Sequence, residues 1–91
     1  MSVSVRVPTI LRPYTQGVSE VSAEGATLLE VLESLDTSYP GIKGRVLDES
    51  GELRRFVNVY VNDDDVRFAS GLRTEVKDGG QISIIPAVAG G

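Results

Sequence analysis

The last five residues of the chain carry the clearest chemical signal in the sequence. They are Ala87, Val88, Ala89, Gly90 and Gly91. No charged side chain occurs from Gly79 to the end, although 24% of all residues are charged. A glycine leaves the terminal carboxylate without a neighbouring Cβ, and small side chains can pass through a narrow channel. A carboxylate becomes an acyl donor once adenylation turns its oxygen into a leaving group, so the pattern predicts a terminus that another enzyme activates.

A frayed tail is the ordinary alternative, because most chain ends are frayed. The position of the tail favours the chemical interpretation, since it directly follows a predicted strand that ends at Pro86. We therefore predict a folded domain over residues 1–86 and a flexible tail over residues 87–91. In this prediction residues 87–90 thread into the active sites of partner enzymes, and the Gly91 carboxyl is the reactive group.

A second candidate is the acidic run Asn62-Asp63-Asp64-Asp65. It lacks the alternating oxygen ligands, the glycine and the distal glutamate of a calcium-binding loop. Asn and Asp are typical turn residues. We interpret the run as a solvated turn at the end of a strand, and we predict no metal site.

A third candidate is one face of the predicted strand over residues 56–62. Its valines alternate with larger or polar side chains, so the two sets lie on opposite faces. Single exposed aromatics are common on any protein surface, whereas an open sheet face that carries them is also where a partner docks. Both interpretations stay open. The predicted docking face consists of Phe56, Asn58, Tyr60 and Ile85.

Composition narrows the possible functions. The 91 residues suffice for one domain. The absence of cysteine and histidine excludes disulfides, thiol nucleophiles, Cys/His zinc sites and histidine acid–base catalysis. A net charge of −4 disfavours nucleic-acid binding, and no apolar run approaches the ~20 residues that span a bilayer. We expect a cytoplasmic protein that is no enzyme and binds no cofactor or membrane.

Several secondary-structure elements follow from hydrophobic spacing. A capping box, Thr27 with Glu30, predicts a helix whose apolar side chains run from Leu28 to Tyr39. Period-two alternation predicts strands at 2–8, 56–62 and 81–86. Weaker signals indicate a return strand at about 17–23, a helical turn near 42–47 and a short strand at 66–68.

One helix covers only one face of a sheet. We therefore predict an α+β domain of the β-grasp, or ubiquitin-like, type. It has a mixed sheet of four to five strands, the first and last of which are central. The main helix crosses one face and the other face stays open.

Three segments resemble the ThiS/MoaD sulfur-carrier family, and within it the carriers of actinobacterial cysteine biosynthesis. They are residues 7–13, 55–63 and 84–91. The terminal Gly-Gly and the Val-Asn turn occur together at the separation seen in that family. The chain is longer than the usual thiamin-pathway carrier and differs from molybdopterin-synthase subunits near its N-terminus, which favours the cysteine pathway.

The resemblance implies a cycle with sulfur on the main chain. An ATP-dependent activating enzyme, acting as adenylyltransferase and sulfurtransferase, would convert the Gly91 carboxyl into a thiocarboxylate. A PLP-dependent cysteine synthase would use that sulfur on an activated serine such as O-phosphoserine. A JAMM-type zinc metallopeptidase would release the cysteine. ATP, PLP and zinc would belong to these partner enzymes.

Two other functions remain open on the sequence. One is a ubiquitin-like modifier that is joined through Gly91 to protein lysines, because it needs the same activated glycine. The other is a β-grasp binding module with an inert tail. A carrier for molybdopterin or thiamin synthesis is a further alternative within the sulfur-carrier interpretation.

Overall fold

A computed structural model describes residues 2–54 and 57–86 of the chain. The strands are β1 (Ser2–Arg6), β2 (Glu20–Glu24), β3 (Val57–Val61), β4 (Asp64–Asp65) and β5 (Gln81–Pro86). The α-helices are α1 (Leu28–Ser38) and α2 (Lys43–Val46), and 3-10 helices cover Thr9–Thr15, Val66–Phe68 and Gly71–Arg73. Within the described ranges, no helix is long and apolar enough to cross a membrane.

The five strands form one mixed sheet in the order β2-β1-β5-β3-β4. The last strand, β5, is central; it pairs parallel with β1 and antiparallel with β3. In this register Ser83 lies between Arg6 on β1 and Tyr60 on β3. The predicted α+β architecture with central first and last strands is confirmed.

Helix α1 begins at the predicted cap. The Thr27 hydroxyl accepts a hydrogen bond from the Glu30 backbone N–H at 3.3 Å. The Glu30 carboxylate accepts from the Ala26 N–H at 2.9 Å, one residue before the cap itself. The apolar stripe of the helix is buried and consists of Leu28, Val31, Leu32 and Leu35.

The core lies between α1 and one face of the sheet. Alternate strand residues point into it, as period-two patterning predicts. The fully or nearly fully buried strand side chains are Val3, Val5, Val21, Ala23, Val59, Val61, Ile82 and Ile84. The short helix α2 and its two flanking residues contribute the buried side chains of Ile42, Val46 and Leu47 to the core. The helical turn predicted near residues 42–47 is confirmed.

Two weaker predictions need correction. Strand β2 begins at Glu20 and not at residue 17, and Val18 is 47% exposed. The reason is the register with β1, which turns Val21 and Ala23 toward the core and leaves Val18 in the preceding loop. Residues 66–68 form a 3-10 helix and no strand, because the Asp65 carboxylate accepts from the Arg67 N–H at 2.9 Å and starts a helical turn.

Candidate functional site

Strand β5 carries the tail. Its Ile82 and Ile84 side chains are 0% and 3% exposed, and neighbouring strands hydrogen-bond to it on both sides. The predicted tail, residues 87–91 with the reactive Gly91, lies outside the described residues. The structure shows that the central strand ends at Pro86, the residue that directly precedes the predicted tail.

The start of β5 is held by the turn over residues 77–80. The Gly79 N–H donates to the Ser2 carbonyl at 2.8 Å, and the Ser2 N–H donates to the Asp78 carboxylate at 2.9 Å. A Cβ on Gly80 would lie 2.9 Å from the Lys77 carbonyl oxygen, so this close turn requires glycine. These contacts tie β5 to the first residues of β1, and the exit of the tail is consequently fixed relative to the whole sheet.

The open face of the sheet brings together three of the four predicted docking residues. Asn58 pairs with Ile85 in the β3–β5 register, and Tyr60 pairs with Ser83 on the same face. Ile85 is 46% exposed, while Asn58 and Tyr60 are half-buried. Phe56 lies outside the described residues. That partners dock on this face stays a prediction.

A groove with a volume of about 700 Å³ runs along this face beside the end of β5. The first 3-10 helix forms one wall and β5 the other, and the lining includes Pro8, Ile10, Arg12 and Ile85. Ile10 is 65% exposed. Sequence reasoning missed the position of Ile10 in this groove because only the parallel pairing of β1 with β5 places residues 6–10 beside residues 83–85.

Arginines border the same end of the sheet. Arg67 donates to the Asn58 side-chain oxygen and, at 2.6 Å, to the Arg54 carbonyl, so its guanidinium lies over β3. Arg12 donates to the Val7 carbonyl at 3.3 Å and lines the groove. We call the region around the tail exit the exit surface; it consists of Arg6, Ile10, Arg12, Asn58, Arg67 and Ile85.

The acidic run is only partly the predicted turn: Asn62 and Asp63 form the turn, whereas Asp64 and Asp65 pair with β3 and form strand β4. Asn62 has a left-handed backbone with φ of 57°, and Val61 pairs with Asp64 across the resulting hairpin. In the described part of the chain, no cluster of three or more acidic residues is arranged to hold a metal ion.

The sequence did not predict one exposed aromatic residue. Phe68, in the second 3-10 helix, is 91% exposed. Its exposure follows from the 3-10 helix at residues 66–68, which buries Val66 and turns Phe68 outward. The predicted strand would place residues 66 and 68 on the same face, and it therefore could not distinguish the exposure of Val66 from that of Phe68.

Comparison with known proteins identifies relatives over the whole chain. The model of the ThiS family matches residues 5–91. Sulfur carrier protein CysO of Mycobacterium tuberculosis is 55% identical over 93 aligned positions, which cover 100% of both chains. CysO of Amycolatopsis orientalis, in a crystal structure with BexX, superposes with a TM-score of 0.92 at 54% identity, over 98% of this chain and 99% of that one. Small archaeal modifier protein 1 of Methanosarcina acetivorans superposes with a TM-score of 0.82 at 33% identity, over 99% and 96% of the two chains.

Proposed function

We propose a specific reaction cycle for this chain, which belongs to the ThiS family and is a sulfur carrier rather than an enzyme. In this cycle sulfur is attached to the Gly91 carboxyl and is delivered to cysteine biosynthesis. The observation that carries the proposal is the 55% identity with CysO over an alignment that covers 100% of both chains.

The first half of the cycle activates the terminus. The Gly91 carboxylate attacks the α-phosphate of ATP, which releases pyrophosphate and leaves an acyl-adenylate. A sulfide equivalent then attacks the acyl carbon, AMP leaves, and the carboxylate has become a thiocarboxylate. Both steps belong to an ATP-dependent activating enzyme with adenylyltransferase and sulfurtransferase activity.

The second half of the cycle transfers the sulfur. In a PLP-dependent cysteine synthase, the thiocarboxylate sulfur bonds to Cβ of an activated serine such as O-phosphoserine, and phosphate leaves. The acyl group then moves from sulfur to the amino nitrogen, which links cysteine to Gly91 through an amide. Hydrolysis by a JAMM-type zinc metallopeptidase releases cysteine and restores the carboxylate.

The geometry of the exit supports this use of the tail. Five residues follow Pro86 and can span up to roughly 17 Å when extended. That reach allows Gly91 to enter a recessed active site while the folded domain stays outside it. A closed channel also keeps water away from the acyl-adenylate. The open face around Asn58, Tyr60 and Ile85 would be the docking face, as CysO binding to BexX is a precedent for a protein partner.

Intact-mass spectrometry of the chain isolated from its native cells tests the proposal. We expect a fraction of the protein to have the mass that results when sulfur replaces one oxygen. A variant that lacks Gly91 is the control and should not show this mass shift. An unmodified mass under all growth conditions would favour the binding module with an inert tail.

The acceptor is tested separately. Thiocarboxylated protein, mixed with a cysteine synthase and O-phosphoserine, should yield cysteine in amounts stoichiometric with the carrier. Sulfur transfer to a pterin precursor or a thiazole, with no cysteine formed, would refute the assignment to cysteine biosynthesis. The sulfur-carrier function itself would stand.

Protein modification is the second candidate function. It draws on the similarity to small archaeal modifier protein 1. Denaturing electrophoresis of native cells with an antibody to this chain distinguishes it, because conjugation through Gly91 would give a ladder of heavier bands. The carrier function alone gives a single band.

A further inference from the structure

Charge is distributed unevenly along the central strand. The net charge is −4, yet acidic residues concentrate where β5 begins: Glu24 pairs with Ser2, Asp78 binds the Ser2 N–H, and Asp63 follows the Asn62 that bonds to Gln81. The turn at this end also contains the basic residue Lys77. At the other end, where β5 finishes, three arginines, Arg6, Arg12 and Arg67, outnumber the acidic Glu20 and Asp65.

The register places those positive charges on both sides of the tail exit. Arg6 on β1 is level with Ser83, and Arg12 donates to the carbonyl of Val7, the residue that follows β1. Arg67 contacts Asn58, which is level with Ile85, on the opposite side of β5. Because neighbouring strands lie about 5 Å apart, these guanidinium groups flank the last residues of β5.

The three arginines of the exit surface differ in how their charges are held. Arg12 and Arg67 donate hydrogen bonds to main-chain carbonyls, which hold the two groups in place. Arg6 is exposed and makes no side-chain hydrogen bond within residues 2–54 and 57–86. The ion pair found in those ranges is Lys43 with Glu33, far from this face. Glu20, which lies across from Arg6, is the acidic residue of the groove.

We propose that the exit surface binds an acidic surface of the partner protein that receives the tail. Ile10 and Ile85 would supply the apolar centre of the contact, and the arginines would face carboxylates around the mouth of the partner's channel. This inference rests on the proposed function, because it requires a partner that takes up Gly91. The inference adds two statements to the proposed function, namely the charge of the partner's surface and the orientation in which the partner binds.

Electrostatic complementarity of this kind sets orientation and association rate. An acidic partner is repelled by the end of the sheet where β5 begins and is attracted at the end where the tail leaves. The tail would therefore approach the channel first. The effect is local, since charges are screened beyond about 8 Å at physiological ionic strength.

The experiment measures binding of the full chain to purified BexX from Amycolatopsis orientalis, the protein that accompanies the 54% identical CysO. Arg6→Gln is the test variant, because the Arg6 side chain makes no hydrogen bond to the part of the chain that the structure describes. Arg6→Lys keeps the charge. Arg73→Gln removes the same charge from an exposed position in the third 3-10 helix, which packs against α1 away from the exit. Thermal melts verify that each variant is folded.

At low salt we expect Arg6→Gln to weaken binding about 5- to 10-fold, as loss of a charge at an interface rim does. Arg6→Lys and Arg73→Gln should stay within about twofold of the unchanged chain. The affinity of the unchanged chain should fall more steeply with salt than that of Arg6→Gln.

Three outcomes would overturn the inference. They are equal losses for Arg6→Gln and Arg73→Gln, an affinity that is independent of salt, and no binding of the unchanged chain to BexX. Self-association of the unchanged chain that Arg6→Gln abolishes, detected by sedimentation, would also overturn it by identifying a second copy as the occupant. Each leaves the thiocarboxylate mass shift unaffected, so failure of this inference is distinguishable from failure of the proposed function.

Discussion

Replacing Val59 by alanine tests the register on which the open face depends. Val59 is 0% exposed and lies opposite Ile84 in the core. The change removes two buried carbons, which are worth about 1.6 kcal/mol at ~0.8 kcal/mol each, and the remaining cavity brings the loss of unfolding free energy to about 2–3 kcal/mol. For a domain of this size the melting temperature should fall by about 8–24 °C.

Urea denaturation followed by circular dichroism measures this loss, and two variants on the same strand serve as controls. Val57→Ala deletes the same atoms at a half-buried position and should cost about half as much or less. Tyr60→Ala changes the open face and should stay within about 1 kcal/mol of the unchanged chain. If Tyr60→Ala unfolds the domain while Val59→Ala leaves it stable, the strand is inverted and the docking face is on the wrong side.

Three further predictions use other parts of the chain. Thr27→Ala removes the oxygen that accepts from the Glu30 N–H and should lower the unfolding free energy by about 1 kcal/mol, measured by urea denaturation; an unchanged midpoint would show that the cap contributes nothing. Gly25→Ala should cost about 1–3 kcal/mol because a Cβ there would lie 2.7 Å from the Val31 nitrogen, whereas Gly44→Ala meets nothing within 4 Å and should be neutral or slightly stabilising; equal melting temperatures would contradict this contrast. Deleting Gly91, or replacing Gly90 by Phe, should abolish ATP–pyrophosphate exchange by the activating enzyme without changing the melting temperature, and undiminished exchange without Gly91 would remove the terminal carboxylate from the mechanism.

The strongly patterned parts of the fold could be predicted from the sequence. The helix was recognisable because Thr27 caps it and its apolar residues recur at helical spacing, and β1, β3 and β5 were recognisable from their alternating valines and isoleucines. The start of β2 could not be predicted, since Val18 and Val21 do not alternate and only pairing with β1 determines which of them is buried.

The candidate site likewise has one part that the sequence predicts and one part that it does not. The prediction of a reactive terminus rests on local sequence alone, because an uncharged run that ends in Gly-Gly needs no tertiary information to be noticed. The exit surface was not evident, because its members are distant in sequence: Arg6 ends β1 and Arg12 lies in the first 3-10 helix, whereas Arg67 and Ile85 are contributed by later segments. The pairing of β5 with β1 on one side and with β3 on the other brings them together, and no local pattern encodes that pairing.

The central position of β5 also has a consequence for the order in which the protein is made. A ribosome adds β5 after the other four strands, and until then β1 and β3 have no strand between them. The nascent domain therefore cannot close its sheet before the segment that leads into the tail has been synthesised. A truncated product that lacks the terminal glycines through loss of β5 would also lack the completed sheet and its open face. Completion of the fold and presence of the terminal glycines are thus coupled through a single strand.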